Sequence, residues 1–81
     1  MTILTTSAAD AMNQKIGRRV RNLMFGKMTQ SELADRIGTD QSGMSRRIHG
    51  KTEFSPFELK VTAESLGVSV DALFADTHPS D

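Results

Sequence analysis

The 81-residue sequence contains no cysteine, so it can form neither a disulfide nor a thiolate metal site. This suits a reducing compartment such as the cytoplasm. No apolar run approaches the length of a membrane span, and the N-terminus lacks the charged-then-apolar layout of a signal peptide. Neither of the two histidines stands at zinc-site spacing or pairs with a nucleophile. We therefore expect neither an enzyme nor a protein with a metal or other cofactor.

The net charge is zero, which by itself gives no reason to expect a nucleic-acid partner. The charges are nevertheless segregated along the chain. Residues 15–51 hold nine lysines or arginines against three acids, a net of +6, whereas residues 52–81 carry a net of −5. Ordinary solvated helix faces explain scattered charges well and this segregation poorly. A small domain with one basic half can orient that half toward phosphate.

Apolar spacing and capping residues predict the helices in the first half of the chain. Residues at helical spacing define a first helix that ends near Gly26; they are Met12, Ile16, Val20, Leu23 and Met24. Thr29 and Glu32 fit a capping box that begins a second helix, and Gly38 ends it. The second helix is expected to bury Leu33, Ala34 and Ile37.

Similar signals divide the second half of the chain. Thr39 or Asp40 caps a third helix, which runs to about His49 and is closed by Gly50. The segment 55–58, Ser-Pro-Phe-Glu, is a strong start signal for a fourth helix that ends at Gly67. The fourth helix is expected to bury some of its apolar residues: Phe57, Leu59, Val61, Ala63 and Leu66.

Ser69 caps a short fifth helix that contains Val70, Leu73 and Phe74. No segment alternates with a period of two, and no internal repeat is visible. We therefore predict a compact all-α domain of five helices over residues 10–75. A flexible arm over residues 1–9 would precede it, and a flexible tail over residues 76–81 would follow.

The third helix has a polar outer face. Met44 and Ile48 lie one turn apart and mark its inward side. The outward side chains are Ser42, Ser45, Arg46 and His49, with Gln41 in the exposed first turn. A glutamine can form two hydrogen bonds with adenine and an arginine two with guanine, each pair worth roughly 1–3 kcal/mol of discrimination. A capped helix, a tight glycine turn and such a second helix are typical of DNA-binding helix-turn-helix motifs.

Three other positions have a functional and a structural interpretation. Gly43 costs about 1 kcal/mol inside a helix, so we expect close packing there against the second helix or DNA. Gln30 either binds phosphate at a helix N-terminus or is a solvated residue of a capped first turn. Lys51 and His49 flank Gly50 at a position suited to DNA backbone contact. The alternative that Lys51 is only an ordinary surface lysine fits almost equally well.

Four segments resemble the lambda-repressor-like helix-turn-helix family, also called the xenobiotic-response-element family. They are residues 16–23, 28–34, 41–44 and 66–74, and together they extend over about residues 14–75. The pieces Thr-Gln-Ser-Glu-Leu-Ala and Leu-Gly-Val-Ser-Val-Asp, in this order and at this separation, are a specific signature of that family.

The resemblance implies binding to a double-stranded DNA operator through the third helix, with no cofactor. Three side chains would then face base edges: Gln41, Ser42 and Ser45. Arg46 joins them on helix geometry alone. Gln30 would bind phosphate and brace Gln41. Three residues would lie along the sugar-phosphate backbone: His49, Lys51 and Thr52. The fifth helix, with Leu73 and Phe74, would pair two subunits, unless both side chains belong to the core.

The chain departs from the family pattern at two places. The link between the first and second helices is one residue shorter than usual, and Gly26 comes earlier than the family glycine. Arg47 falls where the family often has an apolar residue, with Ile48 beside it carrying that burial. Arg47 either extends to a phosphate or pairs with an acid of the fourth helix.

The main hypothesis is a phage or bacterial repressor that binds an inverted repeat as a homodimer, with half-sites about one helical turn (~34 Å) apart. A second hypothesis is an antitoxin-type interaction module that also binds its own promoter; a partner-binding extension would distinguish it. A third is the DNA-binding part of a longer repressor. We expect no membrane and no small-molecule substrate, and a location in the cytoplasm of a bacterium or phage-infected host.

Overall fold

The computed structural model describes residues 8–77, and within that range the chain forms five helices and no strand. The helices are α1 (Ala8–Met24), α2 (Gln30–Ile37), α3 (Gln41–Ile48), α4 (Pro56–Leu66) and a 3₁₀ helix (Val70–Thr77). This confirms the predicted all-α five-helix domain. No helix in residues 8–77 is long and apolar enough to cross a membrane.

Reciprocal caps begin α2 and α4, as the sequence predicts. The hydroxyl of Thr29 accepts the N–H of Glu32 at 3.1 Å, and the Glu32 carboxylate accepts the N–H of Thr29 at 2.8 Å. Ser55 and Glu58 form the same pair of bonds at 3.1 and 3.0 Å. Each pair satisfies two backbone N–H groups that a helix start leaves without a partner. The two capping boxes therefore determine where α2 and α4 begin.

One core collects apolar side chains from all five helices. It consists of Ile16, Val20, Met24, Leu33, Ala34, Ile37, Met44, Ile48, Phe54, Ala63, Leu66 and Leu73. Met12 is 39% exposed, because it extends the α1 stripe one turn beyond the packed part of the helix. Phe57 is 65% exposed, since it lies on the side of α4 away from the buried Ala63. Phe54 is buried before α4 begins, so helical spacing could not reveal it.

The 3₁₀ helix corrects two expectations. It continues through Thr77, two residues past the predicted end of the domain at residue 75. Leu73 is fully buried, so it belongs to the core and offers no surface for pairing two subunits. Phe74 is half-buried against the core, and its part in a dimer remains a prediction.

The start of α1 also differs from the prediction. The helix begins at Ala8, so residues 8 and 9 belong to it and not to a flexible arm. Alanine has the highest helix propensity of all residues, which explains the extension. The rest of the predicted arm, residues 1–7, and residues 78–81 of the predicted tail lie outside the described residues.

Two basic side chains tie the first half of the chain to the second. The Nε–H of Arg19 donates to the carbonyl oxygen of Ala72 at 3.0 Å. Lys27 Nζ donates to the carbonyl oxygen of Leu66 at 3.1 Å, at the end of α4. The last carbonyls of a helix lack partners within it and carry partial negative charge, so a cation is favourable there.

Gly17 allows the backbones of α1 and α3 to touch. A Cβ atom at this position would overlap the carbonyl oxygen of Ile48 and lie 2.8 Å from the carbonyl oxygen of Arg47. These neighbours are backbone atoms, which cannot rotate away as a side chain can. Gly17 therefore sets the distance between α1 and the C-terminal end of α3. Gly17 lies in the segment 16–23 that resembles the family, but local spacing does not reveal this contact.

Substitution Gly17→Ala tests this contact. We expect it to lower the free energy of unfolding by about 1–3 kcal/mol, because the added methyl group must push α3 away from α1. Ala would otherwise stabilise a helix interior by about 1 kcal/mol relative to Gly. Urea unfolding measures the change. Asn22→Ala, at an exposed position of the same helix, is the control. Stability equal to or above that of the wild type in Gly17→Ala would contradict the close approach.

Candidate nucleic-acid interface

A three-residue turn, residues 38–40, joins α2 to α3. Gly38 adopts the left-handed conformation with φ of 85°, and its N–H donates to the carbonyl oxygen of Ala34 at 2.9 Å. Asp40, and not Thr39, caps α3, and its carboxylate accepts the N–H of Gly43 at 2.7 Å. The two helices and their turn thus form the predicted helix-turn-helix.

Helix α3 has the apolar inward side and the polar outward side that the sequence predicts. Met44 is fully buried and Ile48 is 4% exposed, so the inward side is apolar and packed. Four of the five predicted outer residues are exposed, and Ser45 is half-buried; the four are Gln41, Ser42, Arg46 and His49. These five residues are called the outer face of α3 below. They present amide, hydroxyl, guanidinium and imidazole groups along one side of a helix.

Ser45 and His49 are joined across one turn of this face. The Nδ1 atom of His49 lies 2.8 Å from the carbonyl oxygen of Ser45 and 3.4 Å from its hydroxyl. A carbonyl oxygen only accepts, so the imidazole carries a proton on Nδ1. The structure therefore brings together one residue predicted to face bases and one predicted to contact the DNA backbone.

Arg47 pairs with an acid of the fourth helix, which decides between the two alternatives left by the sequence. Its Nε and Nη2 donate to the two carboxylate oxygens of Glu58 at 2.9 and 3.1 Å. Both side chains are only 15% exposed. A third bond runs from Nη1 to the carbonyl oxygen of Gly43 at 2.9 Å. Arg47 therefore fastens α3 to the N-terminus of α4 and does not extend to phosphate.

Glu58 has two roles at the same carboxylate, since it also accepts the N–H of Ser55 in the capping box. The hydrogen bonds from Arg47, helped by that from Ser55, hold the pKa of the Glu58 carboxyl below its ordinary value of 4.5, while burial opposes the shift. The carboxylate is thus charged at neutral pH and available to the guanidinium group.

Gly43 is explained by its immediate neighbours. A Cβ atom there would overlap the side-chain oxygen of Thr39 and lie 3.1 Å from Nη1 of Arg47. The close packing predicted for this glycine therefore exists, but its partners are the turn and Arg47 and not α2. A side chain at position 43 would force Thr39 to rotate and the Arg47 guanidinium to shift slightly, which explains why glycine stands inside this helix despite its cost.

The residues predicted to contact phosphate lie at two helix ends. Gln30 is the first residue of α2 and is half-buried, and no hydrogen bond joins it to Gln41 within the described chain. Lys51 is exposed and Thr52 is half-buried beyond the end of α3. Their N–H groups donate to the carbonyl oxygen of Arg46 at 2.8 and 3.3 Å, which holds both next to the outer face of α3.

One part of the surface beside α3 was not predicted from the sequence. A solvent-open cleft of about 220 Å³ lies between α1 and the end of α3 and is lined by Gln14, Arg18, Arg21, Ile48 and His49. The three α1 residues are spaced by four and three positions, which places them on one side of that helix. This spacing was visible in the sequence, but their neighbours on α3 were not.

The nine basic residues of segment 15–51 divide into two groups. Arg19, Lys27 and Arg47 are bonded inside the fold. None of the other six forms a side-chain hydrogen bond or ion pair within residues 8–77; they are Lys15, Arg18, Arg21, Arg36, Arg46 and Lys51. Within the same range no three histidine or acidic side chains come together as a metal site would require.

The model of the helix-turn-helix family HTH_3 matches residues 26–73, more than half of the chain. The chain belongs to this family. The match covers α2, the turn, α3 and α4, so it includes the outer face of α3. It also confirms the resemblance found in the sequence. No curated protein matches the chain significantly.

Solved structures similar to this chain are consistent with the family match. The restriction-modification controller protein C.AhdI from Aeromonas hydrophila is 28% identical, with a TM-score of 0.71 over 79% of this chain and 98% of the other. The clp gene regulator ClgR from C. glutamicum is 25% identical, with a TM-score of 0.69 over 76% and 82% of the two chains. The hypothetical transcription factor NHTF from Neisseria is 19% identical, with a TM-score of 0.70 over 91% and 86%, and shows the fold. The family match and the two neighbours with 25% or higher identity support a DNA-binding transcription regulator.

Substitution Glu58→Gln tests the anchor of α3. At neutral pH we expect the free energy of unfolding to fall by about 1–3 kcal/mol, because Arg47 loses a charged partner in a partly buried place. The lowered pKa of Glu58 means that the stabilisation is complete above the ordinary value of 4.5 and is lost as the pH falls through the folded value. The difference between wild type and variant should therefore shrink as the pH falls below that ordinary value.

Urea unfolding at a series of pH values measures this difference. Glu64→Gln, which removes an exposed carboxylate from the same helix, is the control and should change stability little. A difference for Glu58→Gln that stays constant from pH 7 to pH 3 would contradict the role of the charged pair.

Proposed function

We propose that this HTH_3 regulator is a repressor of bacterial or phage origin that binds its operator in the cytoplasm as a homodimer. Occupancy of the operator would block polymerase, and no further chemistry is needed. The observation that carries the proposal is the polar outer face of α3. Four of its five side chains are exposed, while the helix behind them is held by Met44, Ile48 and Arg47. The two regulators similar in sequence support a regulatory role.

Base recognition is proposed for the first two turns of the outer face. Gln41 and Ser42 are exposed directly after the Asp40 cap, where side chains reach furthest into a groove. Ser45 follows one turn later, and Arg46 is exposed beside it. The amide of Gln41 can both donate to and accept from adenine. The small serines let the helix backbone come close to the base edges.

DNA backbone contacts are proposed on either side of these base contacts. Gln30 stands at the capped start of α2, where free N–H groups favour phosphate. His49, Lys51 and Thr52 lie at the other end of α3 and would contact the sugar-phosphate backbone. Such contacts position the protein on DNA without reading its sequence.

The double variant Gln41→Ala/Ser42→Ala tests base recognition. We expect it to keep its fold and its affinity for arbitrary DNA but to lose sequence preference by about 1–3 kcal/mol per lost base contact. Competition between the preferred duplex and a scrambled one measures the preference. Asn22→Ala, another exposed amide, is the control. Unchanged preference in the double variant would exclude these two residues as base readers.

Dimerisation is proposed through the surface of the 3₁₀ helix. Val70 is 37% exposed there, and Phe74 is half-buried. A chain of 81 residues has a thin core, so apolar area buried between two copies would add stability. Sedimentation at micromolar concentration tests whether the pair forms without DNA; a pure monomer would contradict a preformed dimer.

Selection of bound sequences from a randomised duplex library, at near-physiological salt, tests the operator geometry. We expect enrichment of an inverted repeat whose half-site centres are about 10 base pairs apart, because two copies of α3 must enter successive major grooves on one side of DNA. A single enriched half-site would contradict the dimer but would still support base recognition by α3. No enrichment would contradict specific recognition and favour a protein partner.

A further inference from the structure

The cleft between α1 and α3 is bordered by two arginine side chains that form no bond within the described residues. Arg18 and Arg21 line it from α1, and His49 lines it from the end of α3. Both arginines are exposed, and neither forms a side-chain hydrogen bond or an ion pair within the described residues. Two guanidinium groups thus border one concave surface of about 220 Å³ without an internal partner.

The cleft borders the hydrophobic core. Ile48 lines the cleft and belongs to the core, and Gly17 brings the α1 backbone against the last carbonyl groups of α3. Arg18 follows Gly17 directly in the chain. The close approach that Gly17 permits therefore places the arginines of α1 beside the end of the outer face of α3.

A second cleft shares Gln14 and His49 with the first cleft, which is called the inner cleft below. This second cleft is lined by Asp10, Gln14, His49, Gly50 and Lys51 and has a volume of about 350 Å³. The second cleft is lined by one acid, Asp10, as well as by Lys51, whereas the inner cleft is lined by no acid. The inner cleft is therefore the more favourable place for an anion.

We propose that the inner cleft binds one backbone phosphate of DNA through Arg18 and Arg21, beside the contacts of α3. The inference depends on the proposed function, since it takes the outer face of α3 as the DNA-reading surface. His49 belongs to both that face and the cleft, so a strand leaving the groove at the end of α3 meets the two arginines next. Arginine is always charged and its planar donors fit phosphate oxygens in pairs.

The proposal predicts a specific dependence on salt. Each phosphate neutralised on double-stranded DNA contributes about 0.9 to the slope of log affinity against log salt. The double variant Arg18→Gln/Arg21→Gln should lower the slope by about that amount and weaken binding about tenfold at 0.1 M salt. The loss should be the same for the preferred duplex and a scrambled duplex, because a phosphate contact reads no sequence.

The control is Arg36→Gln/Lys60→Gln, which removes the same charge from exposed positions outside the cleft. Arg36 lies at the end of α2 opposite to Gln30, and Lys60 lies on α4. We expect this variant to keep the wild-type slope. Unfolding midpoints of both variants should match the wild type, since none of the four side chains has an internal partner in residues 8–77. A slope for the cleft variant equal to that of the control would overturn the proposal.

Ethylation of single phosphates identifies the contact directly. One phosphate outside the bases read by α3 should weaken wild-type binding when ethylated and have no effect on the Arg18→Gln/Arg21→Gln variant. The absence of such a position would also overturn the inference. A wild type that enriches no sequence in the library selection would instead overturn the proposed function, so the two failures are distinguishable.

Discussion

The pair of bonds between Arg47 and Glu58 is the interaction on which the position of the outer face of α3 depends. It joins the helix that presents the outer face to the capping box that starts α4. A third bond, to the carbonyl oxygen of Gly43, fixes the arginine along its own helix. Because the pair is largely buried and both oxygens of Glu58 are used, α3 has one orientation relative to α4. The base recognition proposed for α3 requires such a support, because the reading side chains must be held in a fixed position.

The basic side chains of residues 15–51 fall into two groups, those bonded within the protein and those without a side-chain partner in the described residues. Arg19 and Lys27 donate to backbone carbonyl oxygens, the latter at the end of α4, and Arg47 pairs with a carboxylate. The side chains of the remaining cations of the basic segment form no hydrogen bond or ion pair in residues 8–77, and Arg18 and Arg21 line the cleft beside α3. A chain with no net charge can therefore still present a basic surface. The overall charge is a poor guide to nucleic-acid binding when the acids lie in another part of the chain.

Local rules predicted most of the fold and the outer face. The caps at Thr29 and Ser55 and the helix end at Gly38 involve atoms only a few residues apart, so their geometry follows from sequence spacing. The inward position of Met44 follows in the same way from helical periodicity. Local spacing did not predict that α1 begins at Ala8, and it left open whether Leu73 is buried in the core.

By itself the sequence determined the five helices, the family and which side chains of α3 are polar and outward, because each depends on neighbours within one or two turns. Only the tertiary structure decided that Arg47 pairs with Glu58, that Leu73 is core, and that Gly17 lets α1 meet the end of α3. Those outcomes depend on residues 11 to more than 30 positions apart, whose approach is set by how whole helices pack and not by local spacing.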